Sequence, residues 1–194
     1  MTDWQVLNAS PSTLPSDLSK PFTLTTPANT DLWRSDEHKD AHNAPAFYRV
    51  IKTSSFKRLA VTISANWTDL YDQGGILLLW PNTTNAAEAN APKQKWIKAG
   101  IEMVGGQAQF SCVVCDRFSD WSLHPLEGKQ RIEAVREGDA LWILAGGKRI
   151  REPKFAFIEE RKGDAEMWIG VTAAKPSKEG ELQVRFEDLE IEVV

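Results

Sequence analysis

The chain has 194 residues and a formal net charge of −4, and its lysines and arginines are scattered rather than clustered. The length suits one large β domain, which can bury a core without disulfides or metals. Scattered basic residues argue against a nucleic-acid-binding surface. No apolar run reaches the roughly 20 residues that a membrane-spanning helix needs. We therefore predict a protein whose partners are neither nucleic acids nor membranes.

Residues 1–20 are rich in serine and proline. They lack the basic region and the apolar region of a secretory signal, and this predicts a cytoplasmic protein. We predict that residues 1–20 form a tail or an edge segment. Residues 21–194 are predicted to form one β-sandwich domain, because no linker interrupts them.

Short segments rich in β-branched and aromatic residues follow one another along the chain and predict strands. Glycine pairs such as Gly105-Gly106 mark tight turns between them. The predicted strands cover residues 22–26, 46–52, 58–67, 75–80, 96–104, 107–115, 131–136, 141–145, 155–158, 167–174 and 182–194. The polar segment 30–44 is predicted to be a loop, and so is 81–92, with room for one helical turn. Many strands with hardly any helix predict an all-β fold, a two-sheet antiparallel β-sandwich of the jelly-roll type.

The strand predicted over residues 96–104 has the clearest alternation. One face carries Trp96, Lys98, Gly100 and Glu102, and the other carries Ile97, Ala99, Ile101 and Met103. A period of two identifies the wholly apolar set as the core side. An indole, a cation and a carboxylate on the opposite face suit the binding of a polar ligand. The alternative is a solvated face with a surface ion pair, which would contribute only about 0–1 kcal/mol.

Three further segments supply candidate ligand-binding residues. Tyr71, Asp72 and Gln73 precede a hydrophobic strand, where they indicate either hydrogen bonding from the strand end or a plain turn. Trp121 offers an indole for stacking on a sugar, and the adjacent Asp120 either joins it or caps a turn. Arg49 alternates with apolar neighbours, so it either joins the face of Lys98 or is an exposed edge charge. The predicted ligand-binding set is Trp96, Lys98, Glu102, Trp121, Asp120, Asp72, Gln73 and Arg49.

Four sequence blocks occur in the order found in a known family. They are TDLWR (30–34), YDQGGILL (71–78), WIKAGIE (96–102) and SDWS (119–122). With them the chain resembles the YesU-like family of uncharacterised concanavalin-A-like proteins, which includes a fungal cytoplasmic protein described as a regulator of enolase. The resemblance runs from about residue 22 to the C-terminus. It implies a concanavalin-A-like jelly roll with a concave, ligand-sized face, and it carries over no established reaction.

The residues predict no complete catalytic centre. The Glu-x-Asp-x-x-Glu pattern of sandwich glucanases is missing. A glycosidase needs two carboxyl groups across the scissile bond. Only Glu102 is predicted to point inward, with Asp72 or Asp120 as its distant partner.

We predict neither a metal nor a cofactor. Cys112 and Cys115 should point to opposite faces of a strand, so we predict two free thiols rather than a disulfide or a metal-binding pair. His38 and His42 have the helical spacing of metal ligands, but their segment lacks helical periodicity.

Three classes of function remain. The first is a binding protein that recognises a carbohydrate or another polyhydroxylated ligand on its concave sheet. The second is a sugar-active enzyme, of the glycoside hydrolase or isomerase type, with Glu102 as acid or base and Lys98 tuning its charge. The third, which the resemblance implies, is a regulatory protein that contacts a metabolic enzyme. The missing carboxylate pair favours the first and third classes over the second.

Overall fold

Two antiparallel sheets pack face to face in the computed structural model, which describes residues 4–81, 94–127, 130–158 and 165–194. This confirms the predicted β-sandwich. The strands are β1 (Trp4–Leu7), β2 (Phe22–Pro27), β3 (Leu32–Arg34), β4 (Asp40–His42), β5 (Ala46–Lys52), β6 (Phe56–Ala65), β7 (Gln73–Trp80), β8 (Lys95–Val104), β9 (Gln107–Cys115), β10 (Ser119–Pro125), β11 (Arg131–Glu137), β12 (Ala140–Ala145), β13 (Lys148–Arg151), β14 (Glu166–Ala174) and β15 (Glu181–Val193).

The first sheet has seven strands in the order β1-β5-β14-β7-β8-β9-β10, and the second has six in the order β13-β12-β11-β6-β15-β2. Strands β3 and β4 form a separate two-stranded hairpin. Helix in the described ranges is limited to two 3-10 turns, Pro11–Thr13 and Thr53–Ser55. In that part of the chain no helix is long and apolar enough to cross a membrane.

The main core lies between the two sheets and follows the predicted alternation. Ile97, Ala99 and Ile101 of β8 are buried there against residues of the six-stranded sheet such as Ile63 and Val184. Burying one such large aliphatic side chain stabilises the fold by about 1.5–3 kcal/mol. The burial of this set turns the intervening β8 residues to the outer face of the seven-stranded sheet.

Three predicted elements differ from the structure. The predicted loop 30–44 contains the β3–β4 hairpin, and residues 119–125, where no strand was predicted, form β10. The predicted strand 155–158 is a turn, in which the Ile158 amide donates to the carbonyl of Phe155 over 3.1 Å. Its phenylalanines enter the core from that turn, and their burial explains the apolar pattern. Most of the predicted loop 81–92 lies outside the described residues.

Cys112 and Cys115 are buried free thiols on opposite faces of β9, as the strand spacing predicted. Cys112 belongs to the core between the sheets, and Cys115 belongs to a second apolar cluster on the outer face of the seven-stranded sheet. Burial raises the pKa of the Cys112 thiol to about 12. This thiol is therefore protonated and unreactive in the folded protein.

Candidate functional site

Four neighbouring strands of the seven-stranded sheet place polar side chains on its outer face. Lys98 and Glu102 lie four residues apart on β8, and Gln73 of β7 is paired with Glu102. Ser111 of β9 and Trp121 of β10 complete the group. Directly paired residues of an antiparallel sheet share one face. The sheet therefore brings these side chains together although they are far apart in the sequence.

The β3–β4 hairpin covers part of this face, and Arg34 anchors it. The guanidinium of Arg34 is buried, and its Nη1 and Nη2 atoms each donate to the carbonyl of Gln94 over 3.1 Å. Its Nε atom pairs with Asp40 over 2.8 Å, and Nη1 also approaches the Sγ atom of Cys115. The backbone amide of Arg34 donates to the hydroxyl of Ser119 on β10. These bonds join the hairpin to the edge of the sheet.

Between the hairpin and the sheet lies a cavity of about 320 Å³. That volume is at the lower end of the range of small-molecule sites, about 300–1,000 Å³. Three aromatic rings and four polar side chains form its wall. They are Asp31, Trp33, Tyr71, Gln73, Lys98, Glu102 and Trp121.

The ammonium group of Lys98 lies in a network of acceptors. Its Nζ atom donates to the Oδ1 atom of Asp31 over 3.2 Å and to the side-chain carbonyl of Gln73. The amide nitrogen of Gln73 donates to the same Asp31 oxygen and to the backbone carbonyl of Tyr71. The network therefore connects the hairpin, the sheet and the turn that carries Tyr71.

Glu102 is buried at the cavity wall. Its Oε2 atom accepts hydrogen bonds from the Ser111 hydroxyl over 2.6 Å and from the indole nitrogen of Trp121 over 3.1 Å. Burial raises the pKa of this carboxyl, while Lys98 and the two hydrogen bonds partly oppose the rise. A carboxyl group with a raised pKa in a cavity is a candidate for proton transfer or for ligand recognition.

Glu102→Gln is expected to change how stability depends on pH. Between the pKa of an unfolded glutamate and the higher pKa of Glu102, the folded chain binds more protons than the unfolded chain. Stability therefore falls as the pH rises through this window. Glutamine does not titrate, so the melting temperature of Glu102→Gln relative to the wild type should rise from about pH 5 to about pH 8. Thermal unfolding monitored by circular dichroism measures this.

The control for this prediction is Glu179→Gln, which neutralises an exposed carboxylate in the turn before β15. Its melting temperature should follow that of the wild type across the same pH range. A constant difference between Glu102→Gln and the wild type would show that burial of Glu102 does not perturb its titration.

Trp121 lies between two other aromatic rings. Its ring centroid is 6.2 Å from that of Trp33, at an interplanar angle of 87°, and 6.1 Å from that of Tyr71, at 74°. Edge-to-face contacts of this kind stabilise aromatic clusters by about 0.5–1.5 kcal/mol per pair. Because Trp121 also donates to Glu102, the aromatic and polar halves of the wall are held together.

Glycines on β7 and β8 give the floor of the site its shape. A Cβ atom on Gly100 would lie 2.0 Å from the carbonyl oxygen of Gly74, and one on Gly75 would lie 2.1 Å from that of Ala99. Only glycine allows such a close approach of the two backbones. A small cavity of about 20 Å³ lies beside these glycines, Lys98 and Glu102. It has room for about one water molecule.

The model of the family described as "Protein of unknown function (DUF1349)" matches residues 8–193 of the chain. The chain belongs to the DUF1349 family. An uncharacterized protein of Emericella nidulans is 40% identical over 181 residues, which cover 89% of this chain and 86% of the relative. A Saccharomyces cerevisiae protein named Regulation of enolase protein 1 is 31% identical over 169 residues, which cover 86% of this chain and 78% of the relative.

Solved structures show the same fold for this DUF1349 chain. A functionally unknown protein from Saccharomyces cerevisiae superimposes with a TM-score of 0.71 and 22% identity, covering 99% of this chain and 97% of the other. An endo-1,3-beta-glucanase (laminarinase) catalytic domain from Thermotoga petrophila superimposes with a TM-score of 0.52 and 10% identity, covering 98% of this chain and 90% of the other. At these identities the likeness concerns the concanavalin-A-like fold and not the activity.

Trp96 was predicted to be one of the ligand-binding residues, and its burial contradicts this. It lies on the same face as Lys98 but is 0% exposed. It packs with Leu79 and Cys115 in the apolar cluster on the outer face of the sheet. The Nζ atom of Lys98 lies 5.9 Å from the centre of its ring. The ring of Trp96 therefore makes a cation–π contact with Lys98 and is not accessible to a ligand.

Asp72 was predicted to bind ligand and instead stabilises a turn. It is fully buried, accepts hydrogen bonds from the amides of Thr68 and Asp69, and pairs with Lys175 over 3.1 Å. The turn interpretation that the sequence also allowed is therefore the correct one for Asp72, whereas the neighbouring Gln73 lines the cavity.

Asp120 and Arg49 also lie away from the cavity. The exposed carboxylate of Asp120 pairs with Arg151 of β13, on the face opposite to Trp121. Arg49 is paired with Ile169, whose side chain lies in the core between the sheets, so Arg49 points away from Lys98. The apolar neighbours of Arg49 on β5 lie on the outer face. Part of that face is apolar as well, because the hairpin and aromatic side chains pack on it.

The predicted ligand-binding set left out Asp31, Trp33 and Tyr71, which line the cavity, and Arg34, which anchors the hairpin. Three of the four lie in the block TDLWR, which indicated the family and was assigned to a loop. Alternation within that block was the available signal, since Leu32 and Arg34 are buried on either side of Trp33. The described residues contain no cluster of three or more His, Cys, Asp or Glu side chains that could hold a metal ion.

Proposed function

We propose that this protein binds a carbohydrate or a similar polyhydroxylated small molecule in the cavity between the hairpin and the seven-stranded sheet. The observation that carries the proposal is the composition of the wall. Trp33, Tyr71 and Trp121 provide aromatic surface beside the carboxyl groups of Asp31 and Glu102. The ammonium of Lys98 lies in the same wall. Ligand sites typically combine an apolar surface with a few converging polar groups.

The two halves of the wall match the two kinds of surface on a sugar. The C–H faces of a sugar ring are apolar and pack on aromatic rings, whereas its hydroxyl groups donate to carboxylates and accept from an ammonium group. A ligand without hydroxyl groups would leave the polar groups buried at the wall without hydrogen bonds. The free-energy cost of these missing hydrogen bonds provides selectivity for hydroxyl-rich molecules.

Trp121→Ala is expected to weaken binding of the best sugar ligand about tenfold or more, because it removes the central aromatic surface. The ligand is first found by screening mono- and oligosaccharides for quenching of tryptophan fluorescence, and affinities are then measured by titration calorimetry. Trp142→Ala is the matched control. Trp142 lies on β12 of the other sheet, under Arg149. Equal affinities of both variants and the wild type would place the binding site elsewhere.

A second candidate function is a reaction on a sugar. The raised pKa of Glu102 favours it, together with the finding that Asp31 supplies a second carboxyl group to the same cavity. Glu102 would act as the acid or base, and Asp31 takes the place of the distant partners that the sequence suggested. Glu102→Gln should then abolish turnover of a bound oligosaccharide, measured by chromatography of the products, and retain binding. Products formed equally by this variant would exclude Glu102 from the reaction.

Contact with a metabolic enzyme is a further proposal, and its support is the name of the Saccharomyces cerevisiae relative. A cytoplasmic location would be consistent with such a role. Analytical ultracentrifugation of this protein mixed with purified enolase tests the contact. Independent sedimentation of the two proteins at micromolar concentrations would argue against it.

A further inference from the structure

The charges of the cavity wall bear on which polyhydroxylated molecules it accepts. Asp31 and Lys98 form an ion pair whose opposite charges cancel. The net charge of the wall is therefore zero when Glu102 carries a proton and −1 when it does not. In the described part of the chain, the two neighbouring cations Arg34 and Lys175 are paired with carboxylates, Arg34 with Asp40 and Lys175 with Asp69 and Asp72.

The ammonium group of Lys98 uses most of its hydrogen-bonding capacity within the protein. Two of its three N–H bonds are directed to Asp31 and Gln73, so one remains for a ligand. An anionic ligand would have to compete with Asp31 for this single cation. It would at the same time approach the carboxyl groups of Asp31 and Glu102, which repel it when they are ionised.

Two acceptor oxygens of the wall are unused within the described part of the chain. Asp31 accepts from Leu32, Gln73 and Lys98 through Oδ1, and no hydrogen bond to its Oδ2 atom is formed there. Glu102 accepts from Ser111 and Trp121 through Oε2, and its Oε1 atom is likewise without a donor in that part. The wall therefore offers two carboxyl oxygens for hydroxyl donors and one N–H for an acceptor.

We propose that the cavity selects an uncharged ligand with hydroxyl groups that donate to Asp31 and Glu102, and that it rejects sugar phosphates and sugar acids. The proposal rests on the proposed binding function and names the class of ligand. Neutral hydroxyls can use both free carboxyl oxygens and the remaining N–H of Lys98. A phosphate or carboxylate has no hydrogen to donate at neutral pH and places like charges side by side.

The test compares matched sugars at about pH 7. Glucose and galactose are each set against their uronic acid and their 6-phosphate, and affinities are measured by calorimetry or by saturation-transfer NMR. The neutral sugar of a series should bind about tenfold or more tightly than its charged forms, because like-charge contacts are strongly unfavourable. Trp121→Ala should weaken this binding about tenfold or more.

Asp31→Asn provides the decisive variant, because it leaves Lys98 without its counter-charge. The preference should shift toward the uronic acid or the phosphate by about tenfold or more. Asp116→Asn is the matched control. This substitution also removes one carboxylate that is paired with a lysine, Lys95, but Asp116 lies outside the cavity wall. The control should keep the wild-type preference.

Two results would overturn this inference while leaving the proposed function intact. One is binding of a charged sugar to the wild type as tightly as its neutral form. The other is an unchanged preference in Asp31→Asn. Failure of every neutral and charged sugar to bind the wild type would refute both the inference and the proposed function.

Discussion

Lys175→Met is expected to lower the free energy of unfolding by about 3–5 kcal/mol. The Nζ atom of Lys175 lies 3.1 Å from Oδ1 of Asp72 and 2.5 Å from Oδ2 of Asp69. Lys175 is 3% exposed and Asp72 is 0% exposed. Removing the cation leaves a buried carboxylate without its counter-charge. Urea denaturation followed by tryptophan fluorescence measures the loss.

Lys178→Met is the matched control, since Lys178 is exposed three residues further along the chain. Its unfolding free energy should stay within about 0.5 kcal/mol of the wild type. In the double variant, Asp72→Asn should restore part of the unfolding free energy lost in Lys175→Met, because the carboxylate without a counter-charge is no longer present. A loss below about 1 kcal/mol in Lys175→Met would indicate that the pair is solvated and behaves like a surface ion pair.

The same ion pair contributes to the cavity. Asp72 holds the turn in which Tyr71 adopts a positive φ of 67°, an uncommon conformation for a residue other than glycine. The amide of Tyr71 donates to the carbonyl of Met103, and its ring contacts Trp121. Lys175→Met should therefore weaken ligand binding as well as stability, although Lys175 does not line the cavity.

Arg34→Met is expected to destabilise the protein by about 3 kcal/mol or more and to abolish ligand binding. The guanidinium of Arg34 is 1% exposed and satisfies the carbonyl of Gln94 and the carboxylate of Asp40. Methionine removes these hydrogen bonds and the ion pair with Asp40, and the hairpin loses its anchor to the sheet. Because the hairpin carries Asp31 and Trp33, one side of the cavity is lost with it.

Hydrogen exchange of the backbone amides distinguishes this effect from global unfolding. In Arg34→Met the amides of β3 and β4 should exchange faster while those of β7 and β8 keep their protection. Arg34→Lys should restore only part of the stability, because an ammonium group cannot donate in the planar fork geometry. Arg117→Met is the surface control, since Arg117 pairs with Glu37 at an exposed position. Uniformly faster exchange across both sheets would contradict a local role of Arg34.

The amino-acid sequence by itself determined the sandwich and the orientation of its most informative strand. Alternation with a period of two is a local property, so Ile97, Ala99 and Ile101 could be assigned to the core without knowing their partners. The same rule placed Lys98 and Glu102 together on the outer face, and Cys112 and Cys115 on opposite faces. Most strand limits were also predicted to within about two residues.

Only the tertiary structure decided which residues share the cavity. Asp31 and Lys98 lie 67 positions apart in the sequence, and their contact requires the hairpin to fold over the sheet. The covering hairpin also gives the outer face an apolar cluster, so burial no longer distinguishes one face from the other. Trp96 was for this reason assigned to the ligand and Arg49 to the wrong face. Periodicity reports which side chains share a face, and long-range packing decides whether that face is open to a ligand.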